Sequence, residues 1–196
     1  MANVNRPAGL KPVSYLNGSP YNGQARLYYA TATADGLFVG DPVKLSGTGD
    51  ANGIPGVVEA TAAAPVLGVI VGVVVAQPGV SLVGTNIDLT TRSIGASASG
   101  YVMVADDPNI VFEIQEALTT PFAVTDIGGN CDFVVLPGAT AYSDSATTTA
   151  VDAPTTTAAL TLKILGLAQR PDNAVGQYAK ILVKINNHQL ANSVGV

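Results

Sequence analysis

Reactive side chains are scarce in this 196-residue chain: one Cys (Cys131), one His (His188), no Trp, and only 12% charged residues. Each shortage excludes something. A lone cysteine can form neither an intramolecular disulfide nor a structural zinc site. A nucleophile with its base, an acid–base pair of shifted pKa, or a metal centre all draw on His, Cys and grouped carboxylates. Most of that inventory is missing, so the chain does not read as an enzyme, and no cofactor or metal is expected. The chain is rich in Val, Thr, Ala and Gly, the materials of strands and tight connections, and 47% of its residues are hydrophobic. Such a composition suits fitting and holding surfaces.

The formal charge of -5 and pI near 4.6 argue against a nucleic-acid partner, which needs clustered Lys and Arg. No basic residue lies between Arg92 and Lys163, an interval holding Asp106, Asp107, Glu113, Glu116, Asp126, Asp132, Asp144 and Asp152. That stretch reads as a solvated acidic surface, or as a face for a basic partner. The longest apolar run, residues 65–76, is broken by Gly68 and Gly72. It is shorter than the roughly 20 residues a membrane span requires, so it reads as buried strand and no membrane partner is expected. The first residues lack the apolar core of a secretory signal, which predicts a protein made in the cytoplasm.

Length and the absence of a sharp composition shift predict one body, residues 25–196, preceded by an extended arm over residues 1–24. The arm is marked by Arg6-Pro7, Lys11-Pro12, Asn17-Gly18-Ser19-Pro20 and Asn22-Gly23, with no apolar periodicity. Strands are predicted at 24–33, at 37–45 with a Gly-Asp-Pro break, and at 57–60, 65–75, 80–83, 100–105 and 132–136. Residues 109–116 alternate, with Ile110, Phe112 and Ile114 on one face and Val111, Glu113 and Gln115 on the other. Residues 160–167 and 178–186 form a predicted hairpin whose second strand turns Ile181, Val183 and Ile185 inward and Lys180 and Lys184 outward. Residues 47–56 read as a loop and 121–127 as a short helix stopped by Gly128-Gly129. Residues 137–158, rich in Ser, Thr and Ala, read as an exposed excursion. Many short strands and Gly turns predict an all-β fold, an antiparallel sandwich or barrel.

The chemical motifs are weak. No phosphate-binding loop or nucleophile elbow is present, and Gly95-Ala96-Ser97-Ala98-Ser99-Gly100 reads as a flexible loop. Asp106-Asp107 has the character of a turn rather than a calcium loop. Paired glycosidase carboxylates would want aromatic platforms, and only 6% of residues are aromatic.

The ends and one internal pair of segments carry a resemblance. Ala2-Asn3-Val4-Asn5-Arg6-Pro7-Ala8-Gly9-Leu10-Lys11-Pro12-Val13 resembles the start of tailed-bacteriophage virion structural proteins. The C-terminal stretch, from Leu162-Lys163-Ile164-Leu165-Gly166 through Arg170-Pro171-Asp172-Asn173 to Lys184-Ile185-Asn186-Asn187-His188, is similar to their ending. Gly40-Asp41-Pro42-Val43 followed by Val66-Leu67-Gly68-Val69 is similar in style to capsid cement (decoration) proteins. The resemblance implies a protein on the outer capsid surface of the virion, binding the major capsid protein, commonly as a homotrimer where capsid subunits meet. On position, the predicted contacts are Asn3, Arg6, Pro7, Lys11 and Tyr15 of the arm and Lys180, Lys184, Asn187 and His188 of the last strand and its end. The alternative is a virion fibre or host-surface carbohydrate-binding protein, for which seven Tyr supply material.

Overall fold

A computed structural model describes residues 3–33, 35–74, 91–138, 144–150 and 152–191. The fold is all-β. The sequence left sandwich and barrel open, and the structure combines a closed barrel with a separate open sheet.

The barrel runs in the order β2 (Arg26–Ala30), β5 (Pro55–Glu59), β4 (Pro42–Gly49), β6 (Gly68–Val74), β8 (Gly100–Ala105), and back to β2. Its pairings are antiparallel except β2 with β5, which is parallel. The sheet runs β1 (Lys11–Tyr15), β9 (Ile110–Gln115), β14 (Lys180–Ile185), β13 (Leu162–Leu167), β10 (Asn130–Cys131), antiparallel throughout. Two short ladders complete it: β3 (Leu37–Phe38) with β7 (Ser93–Ile94), and β11 (Phe133–Val134) with β12 (Thr148–Thr149).

Strand alternation explains how barrel and sheet are joined. In β6, Ile70 and Val73 face the barrel interior with Tyr28, Val43, Val57, Val102 and Val104. Val69 faces outward and packs with Ile110, Phe112, Ile114, Ile164, Ile181 and Val183 of the sheet. Period-two alternation would put Ile70 and Val73 on opposite faces; a register shift between Ile70 and Gly72 returns them to the same side. The second core therefore includes the outer wall of the barrel, and neither layer can lose its partner without exposing apolar surface. Cys131 lies in this core, its thiol pushed up to about 12 by burial, and behaves as a small hydrophobe.

The segment read as an extended arm enters the sheet: Lys11–Tyr15 is edge strand β1, and Leu10 is buried. Its missing periodicity has a local cause. Pro12 cannot donate to a ladder, and the register shifts between Pro12 and Ser14. The chain then folds back so that the Tyr21 amide donates to the Val13 carbonyl (3.1 Å) and the Tyr15 amide to that of Ser19 (2.8 Å). At the opposite edge, Asn130 and Thr155 exchange backbone bonds of 2.7 and 2.9 Å.

The arm crosses the barrel where two glycines touch. Gly9 and Gly40 both have positive φ, 67° and 101°, and the Leu10 amide donates to the Gly40 carbonyl at 2.9 Å. A Cβ on Gly9 would lie 2.6 Å from that carbonyl oxygen. Gly9→Ala is therefore expected to cost about 2 kcal/mol, combining left-handed strain with overpacking. Urea unfolding reads this, and a loss below a few tenths of a kcal/mol would mean that the crossing is not tight.

Three sequence expectations change. The helix at 121–127 shrinks to a single 3-10 turn, Val124–Asp126, because Gly128-Gly129 ends it before a nucleus can propagate. The loop at 47–56 tightens into a β4–β5 hairpin whose turn is held by Asp50, which accepts the amides of Asn52 (2.9 Å) and Ile54 (2.8 Å). Within 137–158, Ser145, Thr147, Thr148 and Thr149 are buried rather than exposed. The strand expected at 80–83 lies outside the described residues.

Candidate functional site

Four stretches far apart in sequence enclose a groove of about 730 Å3: the N-terminal segment, the end of β9, Asp144, and the β13–β14 connection with the start of β14. The N-terminal segment is held by side-chain amides. Asn3 donates to the Ala174 and Gln177 carbonyls (2.8 and 2.9 Å) and accepts the Ala174 amide (2.9 Å). Buried Gln115 receives the Arg6 amide on Oε1 (2.7 Å) and donates through Nε2 to Asn5 (2.7 Å). Pro7 keeps Arg6 in an extended conformation. Asn173 closes the connection by bonding both backbone groups of Lys180. Tyr178, which also lines the groove, has φ 60°, a conformation uncommon for a bulky residue.

Charge is distributed unevenly among the lining groups. Arg170 forks onto Glu113 (3.0 and 2.9 Å) and lies 3.5 Å from Asp172. Asp144 is paired with Arg92 and, at 3.6 Å, with Lys11. Arg6 and Lys180 have no carboxylate partner among the described residues. Lys180 Nζ donates only to neutral oxygens, Arg6 O (2.7 Å) and Gln115 Oε1 (2.5 Å). Its ammonium is held down to about 8, chiefly by burial; the Arg170, Lys11 and Arg6 charges push the same way, against Glu113.

The register extends this positive character across the sheet. Lys11 lies opposite Glu113, which lies opposite Leu182 on its other side; Lys184 lies opposite Lys163, and Lys180 opposite Gln115. With Arg6 and Arg170 at the groove, six of the nine basic residues of an acidic chain gather on one side. Like charges directly opposite, as at Lys163 and Lys184, weaken an isolated ladder.

Of the residues predicted as contacts, Asn3, Arg6, Pro7, Lys11 and Lys180 line the groove, and Lys184 shares the sheet face beside it. Tyr15 does not join them. Its hydroxyl meets Asn22 and Gln24, and its ring packs 6.1 Å from Tyr21. Asn187 and His188 cross to the barrel: the Asn187 carbonyl accepts the Val66 amide at 2.9 Å, and His188 bridges to Val66. His188, predicted as a contact on position, is instead buried, 1% exposed. Its Nδ1 accepts the Leu190 amide (3.1 Å), and burial holds its pKa below the usual value. Gln115, Arg170 and Tyr178 were missed. Gln115 had a signal as a polar residue on the side of 109–116 read as wet, although the structure buries it.

Asp106, Asp126 and Asp132, which could in principle supply oxygen ligands to a cation, are each engaged within the chain. Asp106 binds Arg26 (2.6 Å) and the Tyr28 hydroxyl (2.5 Å), Asp132 accepts from Thr161 (2.9 and 2.8 Å), and Asp126 accepts the Ala123 amide (2.8 Å). No cluster of His, Cys, Asp or Glu fit to hold a metal occurs among the described residues. No helix among them is long and apolar enough to cross a membrane. No protein-family model matches the chain, and neither a curated protein nor a solved structure matches it.

Proposed function

We propose that this chain is a tailed-bacteriophage capsid decoration protein. It binds the outer surface of the head, as a homotrimer, and reinforces contacts between major capsid protein subunits. The observation that carries the reading is the placing of four basic side chains (Arg6, Lys11, Arg170, Lys180) in one groove, beside three carboxylates, with Lys163 and Lys184 paired across the adjoining sheet face, a layout suited to surface matching. The two internal segments behind the resemblance add support, since Pro42 pairs with Val69 and Val43 with Gly68 in adjacent barrel strands. A protein that binds the assembled shell and not its free subunits stabilises the shell by mass action, and several contacts per trimer add avidity.

Adding the purified protein to heads stripped of accessory proteins is expected to give co-sedimentation and a higher melting temperature. At a hundredfold excess over Kd the gain is about 2.7 kcal/mol per site. Free protein in the supernatant and unchanged head melting would remove the proposal.

One feature favours the alternative of a host-carbohydrate-binding virion protein. Tyr29 and Tyr101 lie edge to face at 5.5 Å, with the Tyr101 hydroxyl on Asp50 (2.6 Å), an aromatic platform beside a carboxylate. Glycan-array binding lost in Tyr101→Ala would promote that reading.

A further inference from the structure

We infer that the groove seats a carboxylate side chain from an extended, acidic polypeptide segment of the partner, held between Arg6 and Lys180. This rests on the groove being the surface through which the protein docks, and it specifies the chemistry of what docks there.

The argument starts from unmatched charge. The other lining cations, Lys11 and Arg170, are already ion-paired with Asp144 and Glu113, whereas Arg6 and Lys180 form no ion pair among the described residues, Glu113 acting on Lys180 only from a distance. Lys180 is half-buried, has two of its three N–H groups on neutral oxygens, and lies beside three further cations. Its Nζ is bonded to the Arg6 carbonyl, so the two charged residues are held next to each other. The scaffold around them is fixed rather than pliable: Asn3, Gln115 and Asn173 tie the N-terminal segment and the β13–β14 connection to the sheet. A carboxylate entering here would complete charge-assisted hydrogen bonds to groups that already stand in place.

The surroundings favour a polypeptide over a nucleic acid. Glu113, Asp144 and Asp172 line the same groove, so a backbone with a phosphate at every nucleotide would meet repulsion on either side of the cations. A peptide can space its carboxylates and put small or apolar residues against the acids. Val4, 70% exposed, also lines the groove and offers apolar contact for such a neighbour.

The test uses the full chain and a blocked hexapeptide of alternating glutamate and serine, followed by amide NMR. Saturable shifts at Gln115, Tyr178 and Lys180 are expected, with affinity falling about tenfold in Arg6→Gln and in Lys180→Gln. Arg6 is exposed, so its substitution leaves the fold intact; Lys180→Arg should recover most of the lost affinity. Absence of shifts, affinity unchanged in Arg6→Gln, or equal binding of an oligothymidylate of matched charge would each overturn the inference. Stripped heads run in parallel separate the two readings. Heads that bind wild type and Arg6→Gln equally end the carboxylate seat and leave the decoration role standing. Peptide binding without head binding does the reverse.

Discussion

Asp41→Asn is expected to raise stability by about 3 kcal/mol at pH 8 and to leave it almost unchanged below pH 4. Asp41 sits in the turn between β3 and β4, is 1% exposed, accepts the Phe38 amide on Oδ2 (2.7 Å) and the Thr147 hydroxyl on Oδ1 (3.3 Å). Burial pushes its carboxyl from the ordinary 3.8 up to about 6, against the lowering effect of hydrogen bonds from Ser145, Phe38 and Thr147. The folded state thus binds this proton more tightly than the unfolded chain does. The corresponding stability is fully present below about 3.8 and is lost as pH rises through about 6. That interval corresponds to about 3 kcal/mol. An asparagine keeps an acceptor for the Phe38 amide, and its own amide can donate to the Thr147 hydroxyl, so the ionisation penalty goes while the bonds remain. Urea midpoints between pH 4 and 8 decide it. Parallel pH profiles for the two proteins would show that this carboxyl does not titrate as described.

Phe112→Ala is expected to cost about 3–5 kcal/mol and to lower the melting temperature by roughly 10 °C. The ring is 1% exposed at the centre of β9, with Pro12 and Val183 opposite it on the two flanking strands. It belongs to the core shared with the outer wall of the barrel through Val69 and Ala105. Because that core is common to both layers, the loss should lower one cooperative transition. Barrel tyrosine fluorescence and far-UV dichroism are expected to shift together; two separated melts would mean that barrel and sheet are independent units. Val124→Ala, at a largely exposed position, serves as a control expected to stay within about 0.5 kcal/mol.

What the sequence made legible was local. Residues 180–185 alternate because one side of the strand meets a core and the other does not, and the buried positions are the expected Ile181, Val183 and Ile185. In 110–115 the expected Ile110, Phe112 and Ile114 are buried, but Val111 and Gln115, read as the wet side, are buried as well, and only Glu113 keeps partial exposure. The sandwich-or-barrel ambiguity could not be resolved that way, since the face of β6 that packs on the sheet and the face that fills the barrel are both apolar. Long-range burial was equally hidden. Gly40-Asp41-Pro42 has the character of a surface turn, and Asp41 is buried only because Ser145 and Thr147, a hundred residues later, close over it. His188 is buried because the chain after β14 crosses to Val66. The groove was half legible: Arg6, Lys11 and Lys180 stood out as cations, but their convergence depends on Gln115 and Asn3 bridging segments more than a hundred residues apart.

Both margins of the five-stranded sheet are closed by the chain itself, one by Pro12 and the return through Tyr21, the other by the Asn130–Thr155 bridge. Among the described residues, a second molecule would find the ends of both margins already occupied by the chain's own backbone. Edge-to-edge pairing of two such sheets would first have to displace these closing segments.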